Sequence, residues 1–151
     1  MQQIFRFAQK GLIFNKKRDS ILLTKYLTSK YVPEKLNNKY AFPGGRMVFG
    51  EEIDASFMRK VFEETGVQIK VGKPIYLWTW QYQKDNDQAQ NVGVIRLAEY
   101  QSGEIIEPQL KVETTVAKAV WLKINEINPE EFVDDESPVL KLIPKYQNSK
   151  I

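Results

Sequence analysis

The sequence contains neither cysteine nor histidine. Without cysteine, the chain forms no disulfide, no zinc–thiolate site and no thiol nucleophile. Without histidine, a Ser-His-Asp triad, a histidine general base and histidine-bound zinc or iron are excluded as well. Acid–base chemistry would therefore come from carboxylates, lysine, tyrosine or metal-bound water. A bound metal would take oxygen ligands, which favours Mg²⁺, Mn²⁺ or Ca²⁺.

Long apolar runs are missing too, since no stretch approaches the roughly 18 residues of a membrane-spanning helix. Residues 1–7 also lack the apolar core and cleavage site of a signal peptide. We therefore expect a cytoplasmic protein with no membrane partner. The 151 residues contain no repeat and no linker, which predicts a single domain over residues 1–151. The net charge of +3 suits a phosphorylated ligand but is too small to indicate nucleic acid.

The order of predicted elements is mixed. Strands are predicted where apolar residues alternate or cluster between turn residues, at residues 4–15, 20–28, 40–42, 68–83, 91–100 and 116–122. Short helices are predicted at residues 125–132 and 136–146. Together with one strong helix, this order indicates an α/β (α+β) protein with helices packed on a mixed or antiparallel sheet.

The strong helix is predicted over residues 51–65. Ile53, Phe57 and Val61 recur every four residues, and Met58 and Phe62 widen this apolar stripe. Acidic residues at its N-terminal end suit the helix dipole. A glycine at position 66 stands where helices commonly end in a left-handed residue.

The carboxylates of this helix suggest a cation site. Residues three and four apart share a helix face, so Glu63 can pair with Arg59. The adjacent Glu63 and Glu64 repel each other unless a cation neutralises them, which suits a hard metal. The turn at Gly44 and Gly45 brings bare backbone close to the helix, where a carbonyl could join the metal shell. The alternative is a solvated helix face.

The segment from residue 45 to residue 67 reads GRMVFGEEIDASFMRKVFEETGV. It resembles the box of the Nudix (MutT-like) family: glycine, five residues, glutamate, seven residues, then Arg-Glu-aliphatic-any-Glu-Glu-any-Gly-aliphatic. Every specified position matches except position 60, which is lysine. The resemblance implies a Nudix fold, in which a mixed β-sheet is sandwiched between helices.

The resemblance also implies an activity. Family members are metal-dependent pyrophosphohydrolases that cleave a nucleoside diphosphate linked to another moiety, as in nucleoside triphosphates, ADP-ribose and nucleotide sugars. By analogy, Glu63 and Glu64 would bind Mg²⁺ or Mn²⁺, with the Gly44 carbonyl as a further ligand. Glu51 or Glu64 would orient or deprotonate the attacking water, and Arg59 would hold the carboxylates in place.

Lys60 departs from the box, because it stands where the family has its first clustered glutamate. Protonated lysine cannot ligate Mg²⁺, but its ammonium could take the place of one cation or contact a substrate phosphate. Three alternatives remain: an active enzyme with a reduced metal shell, a weak enzyme, or a catalytically silent nucleotide-binding or sensor module. A carboxylate outside the box, Glu113 first and Glu107 second, could complete the metal shell.

Substrate contacts are predicted on an aromatic strand. Tyr76, Trp78, Trp80 and Tyr82 alternate, so all four face one side of the strand. That face could stack a nucleobase or belong to the core, with Trp78 and Trp80 as the better ligand candidates. Arg46, beside the glycine turn, could reach a phosphate.

The substrate itself is not predicted, because Nudix specificity depends on loops outside the box. A small RNA-binding domain is a more remote alternative, which would show salt-sensitive binding without Mg²⁺. Members of the family often dimerise, so a homodimer is a further expectation. No apolar stripe in the sequence provides evidence for it.

Overall fold

Seven strands form one mixed sheet in the computed structural model, which describes residues 2–28, 33–84, 86–106 and 117–151. The strand order is β3-β2-β1-β6-β5, with β4 paired to β1 and β7 paired to β2. The pair β1–β6 is parallel and the other pairs are antiparallel, which confirms the predicted mixed sheet. The strands are β1 (Gln2–Phe14), β2 (Ser20–Tyr26), β3 (Tyr40–Ala41), β4 (Gly44–Arg46), β5 (Val67–Lys84), β6 (Asp87–Gly103) and β7 (Ala117–Lys123).

The C-terminal end of strand β1 is covered on both faces, which explains why its residues 11–14 are all buried. Leu12 and Phe14 belong to one core cluster, and Ile13 between them belongs to the other. Helix α1 (Ile53–Thr65) closes the second cluster with buried Phe57 and Val61. The opposite face is covered by side chains of the C-terminal segment, namely Phe132, Val139 and Ile143. The sheet therefore lies between helical segments, as the Nudix resemblance implies.

Helix α1 confirms the predicted helix, although it begins at Ile53 rather than at residue 51. Glu52 is the N-cap, and its carboxylate accepts a hydrogen bond from the Ala55 N–H at 2.9 Å. The helix ends at Gly66, whose φ of 82° is left-handed, as predicted. No helix in the described ranges is long and apolar enough to cross a membrane.

The predicted apolar stripe of α1 is only partly buried. Phe57 and Val61 are fully buried, but Ile53 is 47% exposed and Phe62 is 46% exposed. Residues four apart advance by about 40° around the helix axis, so Ile53 is rotated by about 80° from Val61. Phe62 lies about 100° from Val61 on the other side. Both side chains therefore flank the buried face, and the prediction that they belong to it was wrong.

The C-terminal segment is less helical than predicted. Short 3₁₀ turns occupy Ile124–Glu126, Pro129–Glu131 and Ser137–Leu142, and only α2 (Ile143–Tyr146) is α-helical. Proline lacks an N–H and disfavours the helical conformation of the residue before it. The prolines at positions 129, 138 and 144 therefore interrupt any longer helix, and each lies in the first turn of a short element. Strand β4 was missed, because its two glycines resemble a turn.

Candidate active site

The glycine turn is fastened to both the sheet and the helix. Gly44 and Gly45 pair with β1. Gly44 has a φ of 135°, and a Cβ there would lie 2.1 Å from the Gln9 carbonyl oxygen, so the position requires glycine. The Gly44 N–H donates to Glu64 Oε2 at 3.1 Å. The turn and the C-terminal half of α1 are thereby held side by side.

Arg59 lies between two carboxylates of the box. Its Nε and Nη2 donate to the two oxygens of Glu51, at 2.7 and 2.8 Å, and its Nη1 donates to Glu63 Oε1 at 2.9 Å. The Val48 N–H also donates to Glu51, at 2.7 Å. These hydrogen bonds, those from Arg59 foremost, hold the pKa of Glu51 at about 2. Glu51 is therefore an anion with both oxygens occupied.

Lys60 reaches back across the glycine turn. Its Nζ lies 3.8 Å from Glu63 Oε2, and a Cβ built on Gly45 would lie 2.5 Å from Lys60 Cε. The aliphatic part of the lysine thus occupies the space that the missing Gly45 side chain leaves. This places a positive charge between the turn and the carboxylates of α1.

A buried polar group lies below the turn. Lys10 of β1 donates to Glu136 Oε2 at 2.8 Å, and Glu136 Oε1 accepts from the Phe42 N–H at 2.8 Å. Burial works to lower the pKa of Lys10, but Glu136, together with Tyr26 and Glu64, outweighs this effect and raises that pKa above its ordinary value. Burial also raises the pKa of Tyr26. The ammonium of Lys10 is therefore permanently charged.

Glu64 differs from the other box carboxylates, because it faces this buried group. Burial raises the pKa of Glu64, and the Gly44 N–H and the charges of Lys10 and Lys60 oppose that rise only in part. A carboxylate with a raised pKa binds a proton more readily than Glu51 does. Glu51 and Glu64 thus differ in pKa, although both belong to the unit formed by α1 and the glycine turn, called the helix–turn unit below.

The aromatic residues of β5 form a continuous stack. Tyr76 and Trp78 have ring centroids 6.2 Å apart, and Trp78 and Trp80 have centroids 5.3 Å apart with an interplanar angle of 17°. Tyr76 and Trp78 pack partly against the core. Tyr82 extends the row, and its hydroxyl accepts a hydrogen bond from Arg6.

A cleft of about 1330 Å³ runs between the helix–turn unit and the aromatic strand. An adjoining hollow of about 280 Å³ shares Lys10, Tyr26 and Trp80 with the cleft. Trp78 lines the hollow only. Of the residues predicted from the sequence, the structure places these in the cleft lining: Arg46, Arg59, Lys60, Glu64 and Trp80.

Three further predicted residues do not line the cleft but touch residues that do. Glu51 and Glu63 contact Arg59, and Gly44 contacts Glu64. Glu113 and the second choice, Glu107, lie outside the residues that the structure describes. Among those it does describe, no group of three or more acidic side chains is close enough to hold a metal ion.

The sequence prediction missed Lys10, Tyr26 and Glu136. Lys10 directly precedes the apolar residues 11–14 of β1. This position is the one signal that could have drawn attention to the group, because a charged side chain on a buried strand needs a partner of opposite charge. Its partner, Glu136, is 126 residues away in the chain, and no local pattern links the two.

Comparison with known families gives one result over most of the chain. A family model described as NUDIX domain matches residues 5–143. A search of the curated proteins finds no match.

Several solved structures share the fold at low sequence identity. The MutT protein from Methanosarcina mazei Go1 is 15% identical with a TM-score of 0.67, and the match covers 99% of each chain. The MutT Nudix hydrolase from Burkholderia pseudomallei is 17% identical with a TM-score of 0.66, over 91% of this chain and 97% of that chain. An ADP-ribose pyrophosphatase from Streptococcus suis 89-1591 is 13% identical with a TM-score of 0.62, over 97% and 94%.

Proposed function

The chain belongs to the Nudix family, and from this premise we propose that it is a metal-dependent pyrophosphohydrolase acting on a nucleoside diphosphate linked to another group. One observation carries the proposal: a single cleft has Glu64, Lys60, Arg59 and Arg46 along one side and Trp80 on the other. Cations and a carboxylate suit a diphosphate, and an aromatic ring suits a nucleobase.

The metal requirement is supported by the donor chemistry of the box. Glu63 and Glu64 are adjacent oxygen donors, and the Gly44 carbonyl belongs to a turn already bound to Glu64. Mg²⁺ commonly takes one or two protein carboxylates and completes its shell with water and substrate phosphates, so these residues fit such an ion. When bound, the ion would neutralise charge on the diphosphate and lower the pKa of a nearby water.

The general base is best assigned to Glu64. Both oxygens of Glu51 already accept hydrogen bonds and its pKa is about 2, so Glu51 is a poor proton acceptor. Burial gives Glu64 a raised pKa, which suits acceptance of a proton from the attacking water. We therefore assign Glu51 to positioning, because it holds the Arg59 guanidinium that also binds Glu63.

The substrate would lie along the cleft with its diphosphate near the helix. Lys60, whose stem lies over Gly45, and Arg46, which follows Gly45, line the cleft, and a phosphate bound there would lie beside Glu64. Trp80 would stack the nucleobase, with Trp78 behind it in the adjoining hollow. The diphosphate linkage would thus face the proton acceptor.

A substrate panel tests the proposal. The protein is incubated with nucleoside triphosphates, ADP-ribose, dinucleoside polyphosphates and nucleotide sugars, with and without Mg²⁺ or Mn²⁺, and products are separated by anion-exchange chromatography. We expect turnover of at least one compound, only with metal. If none is turned over while nucleotide still binds, the protein is instead a nucleotide-binding module, an outcome that Lys60 would explain.

The role of Glu64 has its own test. Glu64→Gln keeps an oxygen that can accept from the Gly44 N–H, so the fold should persist, while loss of the base should lower kcat by about 10²-fold or more. The matched control is Glu126→Gln, an exposed carboxamide substitution far from the cleft lining. Unchanged kcat in Glu64→Gln would refute the assignment.

A further inference from the structure

The charges of the box carry an inference about its cation content. At the specified positions of the box, Glu51, Glu63 and Glu64 contribute three negative charges and Arg59 and Lys60 contribute two positive charges, which leaves one negative charge at these five positions. A glutamate at position 60 would instead leave three. Carboxylates of one helix–turn unit favour nearby positive charge, since like charges oppose each other's ionisation. The lysine thus removes two units of the negative charge that would attract divalent cations.

The position of Lys60 makes this a local replacement. Its Nζ is 3.8 Å from Glu63 Oε2, and Lys60 and Glu64, which are one helical turn apart, both line the cleft. Only 27% of its side chain is exposed, because the stem lies over Gly45. The ammonium is therefore held beside Glu63, in the cleft that Lys60 and Glu64 both line.

Arg59 does not make the lysine redundant. Its guanidinium already donates three hydrogen bonds, two to Glu51 and one to Glu63. Glu64 receives nothing from Arg59 in the described residues, and its nearest cations are Lys10, which is paired with Glu136, and Lys60. Within the described residues Lys60 has only its 3.8 Å contact with Glu63, so its ammonium is the cation that remains available to Glu64 and to a bound phosphate.

We propose that the Lys60 ammonium occupies the position of one divalent cation, so that the protein binds its diphosphate ligand with one fewer metal ion than it would with glutamate at that position. The inference rests on the proposed function, since it concerns the same site. It identifies a substrate-contacting role for Lys60: the ammonium neutralises phosphate oxygens that a second ion would otherwise bridge.

Counting bound Mn²⁺ tests this without measuring catalysis. Free Mn²⁺ is quantified by electron paramagnetic resonance while the full chain is titrated, with and without α,β-methylene ADP, whose bridging carbon resists hydrolysis. We expect Lys60→Glu to bind one more Mn²⁺ per chain than the wild-type protein in the presence of this analogue. Lys60→Met keeps an aliphatic stem over Gly45 and should tighten Mn²⁺ binding on the order of tenfold or more.

The matched control is Lys17→Glu, which changes the net charge equally at an exposed turn outside the cleft lining. It should leave the Mn²⁺ count unchanged. Thermal unfolding of each variant verifies that it folds. The same number of Mn²⁺ ions in wild type and Lys60→Glu, with no tightening in Lys60→Met, would overturn the inference.

Parallel assays with the substrate panel separate this outcome from the proposed function. Turnover by the wild-type protein together with an unchanged Mn²⁺ count would refute the role of Lys60 and leave the hydrolase standing. An added Mn²⁺ in Lys60→Glu without any wild-type turnover would support the cation replacement and refute the hydrolase.

Discussion

At the scale of single residues, Arg59 is the organising side chain of the box. It uses a planar fork to bind both oxygens of Glu51 and a third N–H to bind Glu63. Such paired donation is specific to guanidinium, and lysine could not reproduce it. The carboxylates are therefore not equivalent: Glu51 is fixed, Glu63 is shared between cations, and Glu64 faces the interior.

The pairing with Arg59 makes a pH prediction for Glu51. Its pKa in the folded protein, about 2, lies below its ordinary value of 4.5. The unfolded chain therefore binds the extra proton between these pH values. The pair thus stabilises the fold above about pH 4.5, and this contribution is lost as the pH falls toward 2.

The measurement is a nuclear magnetic resonance titration of the Glu51 carboxyl carbon. We expect a midpoint near 2 in the wild-type protein and a midpoint raised toward 4.5 in Arg59→Met, in which the Val48 N–H still works to lower the pKa of Glu51. Lys60→Met serves as the control, because Lys60 contacts Glu63 and not Glu51. A wild-type midpoint near 4.5 would contradict the pairing.

At the scale of elements, the Lys10–Glu136 pair joins three distant segments. Lys10 belongs to β1, the Phe42 N–H precedes the glycine turn, and Glu136 precedes the turn Ser137–Leu142 of the C-terminal segment. Phe132 packs nearby against Phe42, with ring centroids 5.8 Å apart. The pair therefore positions the glycine turn relative to the sheet.

Breaking this pair should destabilise the protein strongly. Only 16% of the Lys10 side chain and 6% of the Glu136 side chain are exposed, so Glu136→Gln would leave a buried charge without its partner. We expect the free energy of unfolding in urea to fall by roughly 3–5 kcal/mol. The double variant Lys10→Met/Glu136→Gln should recover part of that loss, because no charge is then left buried.

The matched control is the surface pair of Lys123 and Asp19, whose charged atoms are 3.5 Å apart and whose side chains are 58% and 45% exposed. Lys123→Met should cost less than about 1 kcal/mol, since solvent screens an exposed pair. If Glu136→Gln and Lys123→Met lowered the free energy of unfolding equally, the Lys10–Glu136 pair would contribute no more to stability than an exposed pair does.

At the scale of the whole molecule, the cleft combines side chains from two separate parts of the fold. One side comes from β4 and α1, and the other comes from β5, which lies at the far edge of the sheet. The parallel pairing of β1 and β6 sets the distance between them. Under the proposed function, a nucleotide would therefore contact both sides at once.

This arrangement predicts separate contributions from the two sides. Trp80→Ala should weaken the affinity for α,β-methylene ADP by about 1–3 kcal/mol, because one stacked base is lost. Isothermal titration calorimetry measures the change. Leu77→Ala is the control: Leu77 is 69% exposed and lines neither the cleft nor the adjoining hollow. Unchanged affinity in Trp80→Ala would remove the aromatic stack from the proposed binding site.

Much of the fold could be predicted because its signals are local. The spacing of apolar residues predicts α1, Gly66 predicts its end, and alternation predicts the long strands. The errors arose where distant contacts decide the outcome. Strand β4 exists because β1 supplies its partner, and the exposure of Phe62 depends on which side of α1 meets the sheet.

The sequence by itself determined the kind of chemistry that the protein can use. The absence of histidine and cysteine leaves carboxylates and lysine, and the box places them at spacings that only a helix and a glycine turn bring together. Only the tertiary structure decided how those carboxylates differ. Arg59 donates hydrogen bonds to both oxygens of Glu51, whereas burial raises the pKa of Glu64 although Lys10 opposes that rise. Spacing on a helix specifies neighbours within one turn, but burial and charge come from strands far away in the chain.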